Sequence, residues 1–85
     1  MNNAAENQFE SSTDGKVSVL EYRLEPGRIV FVHTEVPEEI EGRGIGSRLA
    51  REGLEYARAN KLKVVAQCPF IADYIKAHQE YADLI

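Results

Sequence analysis

Polar and apolar residues change rhythm twice along this chain, and the two changes divide it into three parts. From Lys16 to Leu24 they alternate, with Val17 and Val19 on one face and Leu20, Tyr22 and Leu24 on the other, the period-two pattern of a strand. Asp14-Gly15 precedes this run as a tight-turn dipeptide, and a shorter strand around Phe9 (residues 6–12) lies before the turn. Glu25-Pro26-Gly27-Arg28 is the next turn, with proline fixing φ and glycine supplying positive φ one residue later. Ile29-Val30-Phe31-Val32 follows as an unbroken apolar run, read as a central strand covered on both faces and continuing through Val36 to Pro37. The first part is an antiparallel meander.

After the polar link Glu38–Glu41 and the segment Gly42-Arg43-Gly44-Ile45-Gly46, the rhythm becomes helical. Ser47–Asn60 carries an apolar stripe of Leu49, Ala50, Gly53, Leu54 and Ala57. Lys63–Gln67 returns to a short strand, so strand, helix and strand form a βαβ unit whose two strands run parallel. Cys68-Pro69 opens a second helix through about Ala77, because proline suits the first helical turn, and residues 79–85 add a short turn. The pattern predicts one α/β (α+β) domain over residues 1–85. Its sheet is mixed and mostly antiparallel, with helices on both faces and residues 1–5 a flexible N-terminus.

Composition narrows the function. The 85 residues are 44% hydrophobic and 28% charged, with a net charge of −4. An acidic balance argues against a protein that coats nucleic acid. No apolar run approaches the roughly 20 residues of a membrane span, and the N-terminus lacks the basic and apolar regions of a signal peptide. A single cysteine, Cys68, has no partner for an internal disulfide, so a reducing cytoplasm is the expected location. The charge is uneven, however. Residues 43–63 hold six basic and two acidic side chains within an otherwise acidic chain.

That basic segment follows the three alternating glycines, Gly42, Gly44 and Gly46. Glycines let the backbone turn sharply and present its N–H groups, and the helix starting near Ser47 adds its own unpaired amides and positive dipole end. The combination suits a phosphate, whereas a flexible turn with a solvated helix face is the plain alternative. Neither the dinucleotide fingerprint G-x-G-x-x-G nor the P-loop is present.

The run IVFVHTEVPEEIEGRGIGSRLA (residues 29–50) resembles the central motif of the GNAT superfamily of acetyl-CoA-dependent N-acetyltransferases. There a strand leads into an R/Q-x-x-G-x-G/A loop that holds the CoA pyrophosphate. Gly44-Ile45-Gly46 supply the G-x-G, and Glu41 stands where the family usually has Arg or Gln. With CPFIADYIKAHQEYADL near the end, the chain resembles the short, YjdJ-type GNAT-like branch over residues 16–85. The resemblance implies a reduced GNAT-like fold that takes acetyl-CoA (coenzyme A) and passes acetyl to an amine of a small molecule or a protein. It implies a cofactor site of Gly42, Arg43, Gly44, Ile45, Gly46, Ser47 and Arg48, with Thr34, Glu35 and Val36 along the pantetheine and acetyl end.

Four residues are candidates for catalysis. Cys68 precedes a helix beginning at Pro69 and, under the resemblance, lies beside the acetyl site, as a nucleophile, an acyl relay or a piece of wall. Its plain alternative is a small buried hydrophobe. His33 and Glu35 share a face of the central strand, where either could take a proton from an amine. A hydrogen-bonded core histidine and a solvated glutamate are the alternatives. Tyr74 aligns loosely with the tyrosine that protonates the leaving thiolate in GNAT enzymes, although the usual Tyr-x-x-x-Gly-Phe ending is absent, and a core aromatic is its alternative. No metal site is expected, and the chain is expected as a monomer or weak homodimer. The rival function is a non-catalytic or hydrolytic acyl-CoA-binding module. A small scaffold whose glycine loop binds an unrelated anion is the third.

Overall fold

The computed structural model describes residues 1–85. Five strands lie in one sheet in chain order: β1 (Asn2–Asn3), β2 (Gln8–Thr13), β3 (Lys16–Glu25), β4 (Arg28–Glu35) and β5 (Lys63–Ala66). The first three pairings are antiparallel, and β4–β5 is parallel. Helix α1 (Ile45–Ala59) makes the crossover between β4 and β5, and α2 (Pro69–Ala77) follows β5. Three short 3-10 turns, at Ala4–Glu6, Glu38–Ile40 and Gln79–Leu84, complete the chain.

Local chemistry accounts for the joints. Asp14 and Gly15 both take positive φ (51° and 74°), as a two-residue hairpin turn requires, and Gly27 does so at the next turn (75°). The core forms where one face of the sheet meets α1. Phe9, Leu20, Tyr22, Ile29 and Phe31 point inward from the strands, and Ile45, Leu49, Ala50, Leu54 and Ala57 meet them from the helix. Gly53 lets helix and sheet approach closely, since a Cβ there would come within 2.9 Å of the Phe31 ring. The C-terminal turn is held against α1 by Arg58, which donates two hydrogen bonds of 3.0 Å to the Asp83 carboxylate and one to the Glu80 carbonyl.

The fold class is the expected one, a mixed and mostly antiparallel sheet with one βαβ unit. Two details differ. Residues 1–5, read as a flexible terminus, include β1: the Met1 ammonium donates to the Glu10 carbonyl, and the Tyr22 hydroxyl donates to Asn2 Oδ1. The second concerns coverage. Both helices were expected to divide between the two faces, but α2 begins beyond the edge strand β5 and packs on α1, β5 and the C-terminal turn. Ile71 and Ile75 therefore join the same core as Leu54. The other face keeps Val17, Val32 and Val65 exposed, and the molecule's shortest dimension is 19 Å, the depth of one helix layer on one sheet.

A groove between diverging strands and a glycine loop

β4 contains a bulge. Tyr22 pairs with Phe31 and Glu21 with His33, so Val32 has no partner on β3. The extra residue reverses the facing of everything after it. Thr34, opposite Leu20, points to the core side, while His33, opposite Glu21, and Glu35, opposite Val19, point to the outer face. β5 leaves β4 at the same level. Their pairing ends at Phe31 and Ala66, and the Phe31 carbonyl accepts from both the Gln67 and the Cys68 amides (3.1 and 3.0 Å). Beyond that point, β4 runs on without β5 beside it.

The opening leads into a groove of about 490 Å³, within the usual size of a small-molecule site. Thr34, Glu35 and Val36 line one end, and Gly42, Gly44, Gly46 and Ser47 the other. Gly42 and Gly44 have φ of 85° and 72°, and a Cβ on either would meet nothing within 4 Å. The loop turns by its glycines and leaves open space above its backbone. The first intrahelical bond of α1 runs from Arg48 N–H to the Gly44 carbonyl, and no side chain caps the helix. The amides of Ile45, Gly46 and Ser47 thus have no protein acceptor, which is the donor set a phosphate needs.

The structure gathers eight of the expected site residues around this groove: Thr34, Glu35, Val36, Gly42, Gly44, Ile45, Gly46 and Ser47. It leaves five outside. Arg43 donates to Asp14 Oδ2 at 2.6 Å, and Arg48 is exposed on α1. His33 lies on the outer face, 3.6 Å from Glu35. Cys68 is buried behind the groove, its Sγ 3.3 Å from Thr34 Oγ1. Tyr74 is half-buried and stacks on His78, the rings 3.9 Å apart and 14° from parallel.

Phe70 and Ile40 line the groove and were not among the expected site residues. Phe70 packs on Gly46, where a Cβ would lie 3.0 Å from its ring, so Gly46 serves this contact rather than a turn. Its signal in the sequence is slight, an aromatic directly after Cys68-Pro69. Glu41 also lines the groove, so the family's usual basic anchor is replaced by a carboxylate beside the loop.

These features define an acyltransferase-type fold, with a bulged strand, a diverging parallel neighbour and a phosphate-suited helix start between them. The sequence profile of the GCN5-related N-acetyl-transferase family matches residues 8–84, and the chain belongs to that family. It is similar to Protein NATD1 from Gallus gallus and Homo sapiens, 40% identical over 60 residues in each case. Those matches cover 69% of this chain, which spans about half the length of the curated relatives it matches (54% and 53%). An NMR solution structure of a GCN5-like protein from Staphylococcus aureus superposes with a TM-score of 0.75 at 32% identity. That match covers 93% of this chain and 80% of the other.

Proposed function

We propose that residues 1–85 act as one domain that binds acetyl-CoA in this groove and acetylates an amine, as a short, YjdJ-type member of the family working in the cytoplasm. The observation that carries the reading is the set of three unbonded amides, Ile45, Gly46 and Ser47, at one end of a groove whose other end is the divergence of β4 from β5. Bound there, acetyl-CoA supplies an acyl thioester open to attack by a nucleophile.

The chain's own groups have distinct tasks. The three amides and the dipole of α1 hold the pyrophosphate, and the open backbone at Gly42 and Gly44 lets it approach. Phe70 offers an apolar wall across from Thr34 and Val36. Of the residues lining the groove, only Glu35 and Glu41 have ionisable side chains. Glu41 lies at the loop, whereas Glu35 lies where the strands diverge with its carboxylate turned to the outer face, so Glu35 accepts the proton of an acceptor amine that approaches the opening from that face. Cys68 contacts Thr34 and does not line the groove, which favours direct transfer over an acyl relay.

Incubation of the protein with acetyl-CoA and a panel of small amines and lysine peptides tests the reading. Free CoA thiol and acetylated amine are both measured by mass spectrometry. Matched amounts of the two, dependent on the amine, are expected. Thiol release without any amine would make the domain hydrolytic, and binding without release would make it a non-catalytic acyl-CoA module.

A further inference from the structure

Phe70 is a large apolar side chain left partly open to water. It is 40% exposed, stands outside the buried core and lines the groove. A single exposed hydrophobic needs no explanation by itself, but this one is held at both ends. Its backbone lies two residues after Cys68, whose side chain meets Thr34 where β4 and β5 separate. Its ring tip rests on Gly46, where a Cβ would lie 3.0 Å from Cζ. The ring therefore reaches from the divergence of the strands to the first turn of α1.

Gly46 carries one of the three amides without a protein acceptor. An anion on those amides has the Phe70 ring beside it on the side toward the strands, and Val36 and Ile40 add apolar surface to the same groove. A nucleoside diphosphate ends at its phosphates and has nothing apolar to set against that wall. Coenzyme A has. The pantoyl carbon that bears two methyl groups is joined to the pyrophosphate through one CH2–O link, so it falls next to whatever flanks the phosphate site on the way to the thioester.

We infer that Phe70 is a specificity-determining residue: its ring covers the two methyl groups of the pantoyl unit and selects a pantetheine-bearing diphosphate over a nucleotide that ends at its phosphates. Backbone amides answer to the charge of any phosphate and do not tell what the phosphate carries. The neighbouring apolar side chain makes that distinction, because only the pantoyl unit gains by leaving water there. The inference rests on the acetyl-CoA reading of the groove and goes beyond it by assigning the discrimination to one side chain. Gly46 takes part by leaving room for the ring beside the amides.

Calorimetric titration of the full chain with dephospho-CoA and with ADP tests it, because the two ligands share adenosine and pyrophosphate and differ only by the pantetheine arm. Wild type is expected to bind dephospho-CoA the more tightly. Phe70→Ala should weaken dephospho-CoA on the order of tenfold, the effect of uncovering two methyl groups, and leave ADP within about twofold. Phe70→Leu keeps apolar bulk and should recover part of the loss. Circular dichroism confirms that both variants are folded. Equal loss of the two ligands in Phe70→Ala would make the ring a support for the loop or a platform for adenine, and would overturn the inference. Unchanged dephospho-CoA affinity in Phe70→Ala would overturn it while leaving the acetyl-CoA reading intact. Wild type that binds neither ligand would overturn that reading and the inference with it.

Discussion

Thr34 and Cys68 stand 34 positions apart in sequence, and their side chains meet at 3.3 Å where β4 and β5 separate. The bulge at Val32 makes the contact possible, because without it Thr34 would face outward. Thr34 lines the groove and Cys68 supports it from behind. Wild-type protein incubated with acetyl-CoA should therefore show no acetyl mass adduct, and Cys68→Ser should retain most of the turnover. The serine hydroxyl can still bond to Thr34, which limits the stability loss to about 1 kcal/mol. A hydroxylamine-labile adduct on wild type that disappears in Cys68→Ser, together with turnover, would establish the relay instead.

Arg43 is occupied by Asp14, which ties the glycine loop to the first hairpin turn. Both side chains are more than half exposed, so the pair adds little to stability. Asp14→Asn keeps the positive φ of the turn, which asparagine tolerates well, and frees the guanidinium for an anion in the neighbouring groove. CoA affinity should rise on the order of fivefold at low salt, and the gain should vanish in Asp14→Asn combined with Arg43→Ala. Calorimetric titration of the three variants checks this, and unchanged affinity in Asp14→Asn would leave Arg43 a purely structural tie.

Gly53 gives a prediction in which two effects oppose each other. Alanine would favour the helix by about 1 kcal/mol. Its Cβ would lie 2.9 Å from the Phe31 ring and 3.0 Å from a Leu20 methyl, both fully buried. Overpacking costs about 1–3 kcal/mol and wins. Urea denaturation should show Gly53→Ala less stable than wild type, and Phe31→Leu in the same chain should recover part of the loss.

Tyr81 links stability to alkaline pH. Its hydroxyl donates to Glu55 Oε2 at 2.6 Å, and burial, followed by this bond to a carboxylate, pushes its pKa from 10.0 up to about 12. The folded state thus keeps the proton longer than the unfolded chain does. The contribution is complete below pH 10 and is lost as pH rises from about 10 to about 12. Thermal melts of wild type should fall across that window, and those of Tyr81→Phe should fall less. Equal slopes would contradict the assignment.

The sequence made the architecture legible wherever local chemistry decides it. Asp14-Gly15 and Pro26-Gly27 turn where they were read to turn, the α1 stripe from Leu49 to Ala57 is buried, and Pro69 opens α2. The loop end of the groove was legible for the same reason, since glycines before a helix have few uses. Less visible was anything that depends on pairing between distant segments. Strict alternation after Phe31 would return His33 and Glu35 to the core face, and only the register against β3 shows the inserted residue that turns them outward. Arg43 was read by its closeness to the loop, but Asp14, 29 positions earlier, holds it. Gly46 looked like the third member of a turn, but it lies inside α1 and makes room for Phe70.

The central claim is that the amides at the start of α1 hold acetyl-CoA, and an NMR titration of amide-labelled protein tests it most directly. The account predicts that the largest shifts fall on Gly44, Ile45, Gly46 and Ser47, with smaller ones at Thr34 and Phe70, and that Gly44→Val removes them while the remaining spectrum stays folded. Shifts absent from that loop, or confined to the separate groove between β5 and α2 lined by Val65, Ala72 and Lys76, would contradict it.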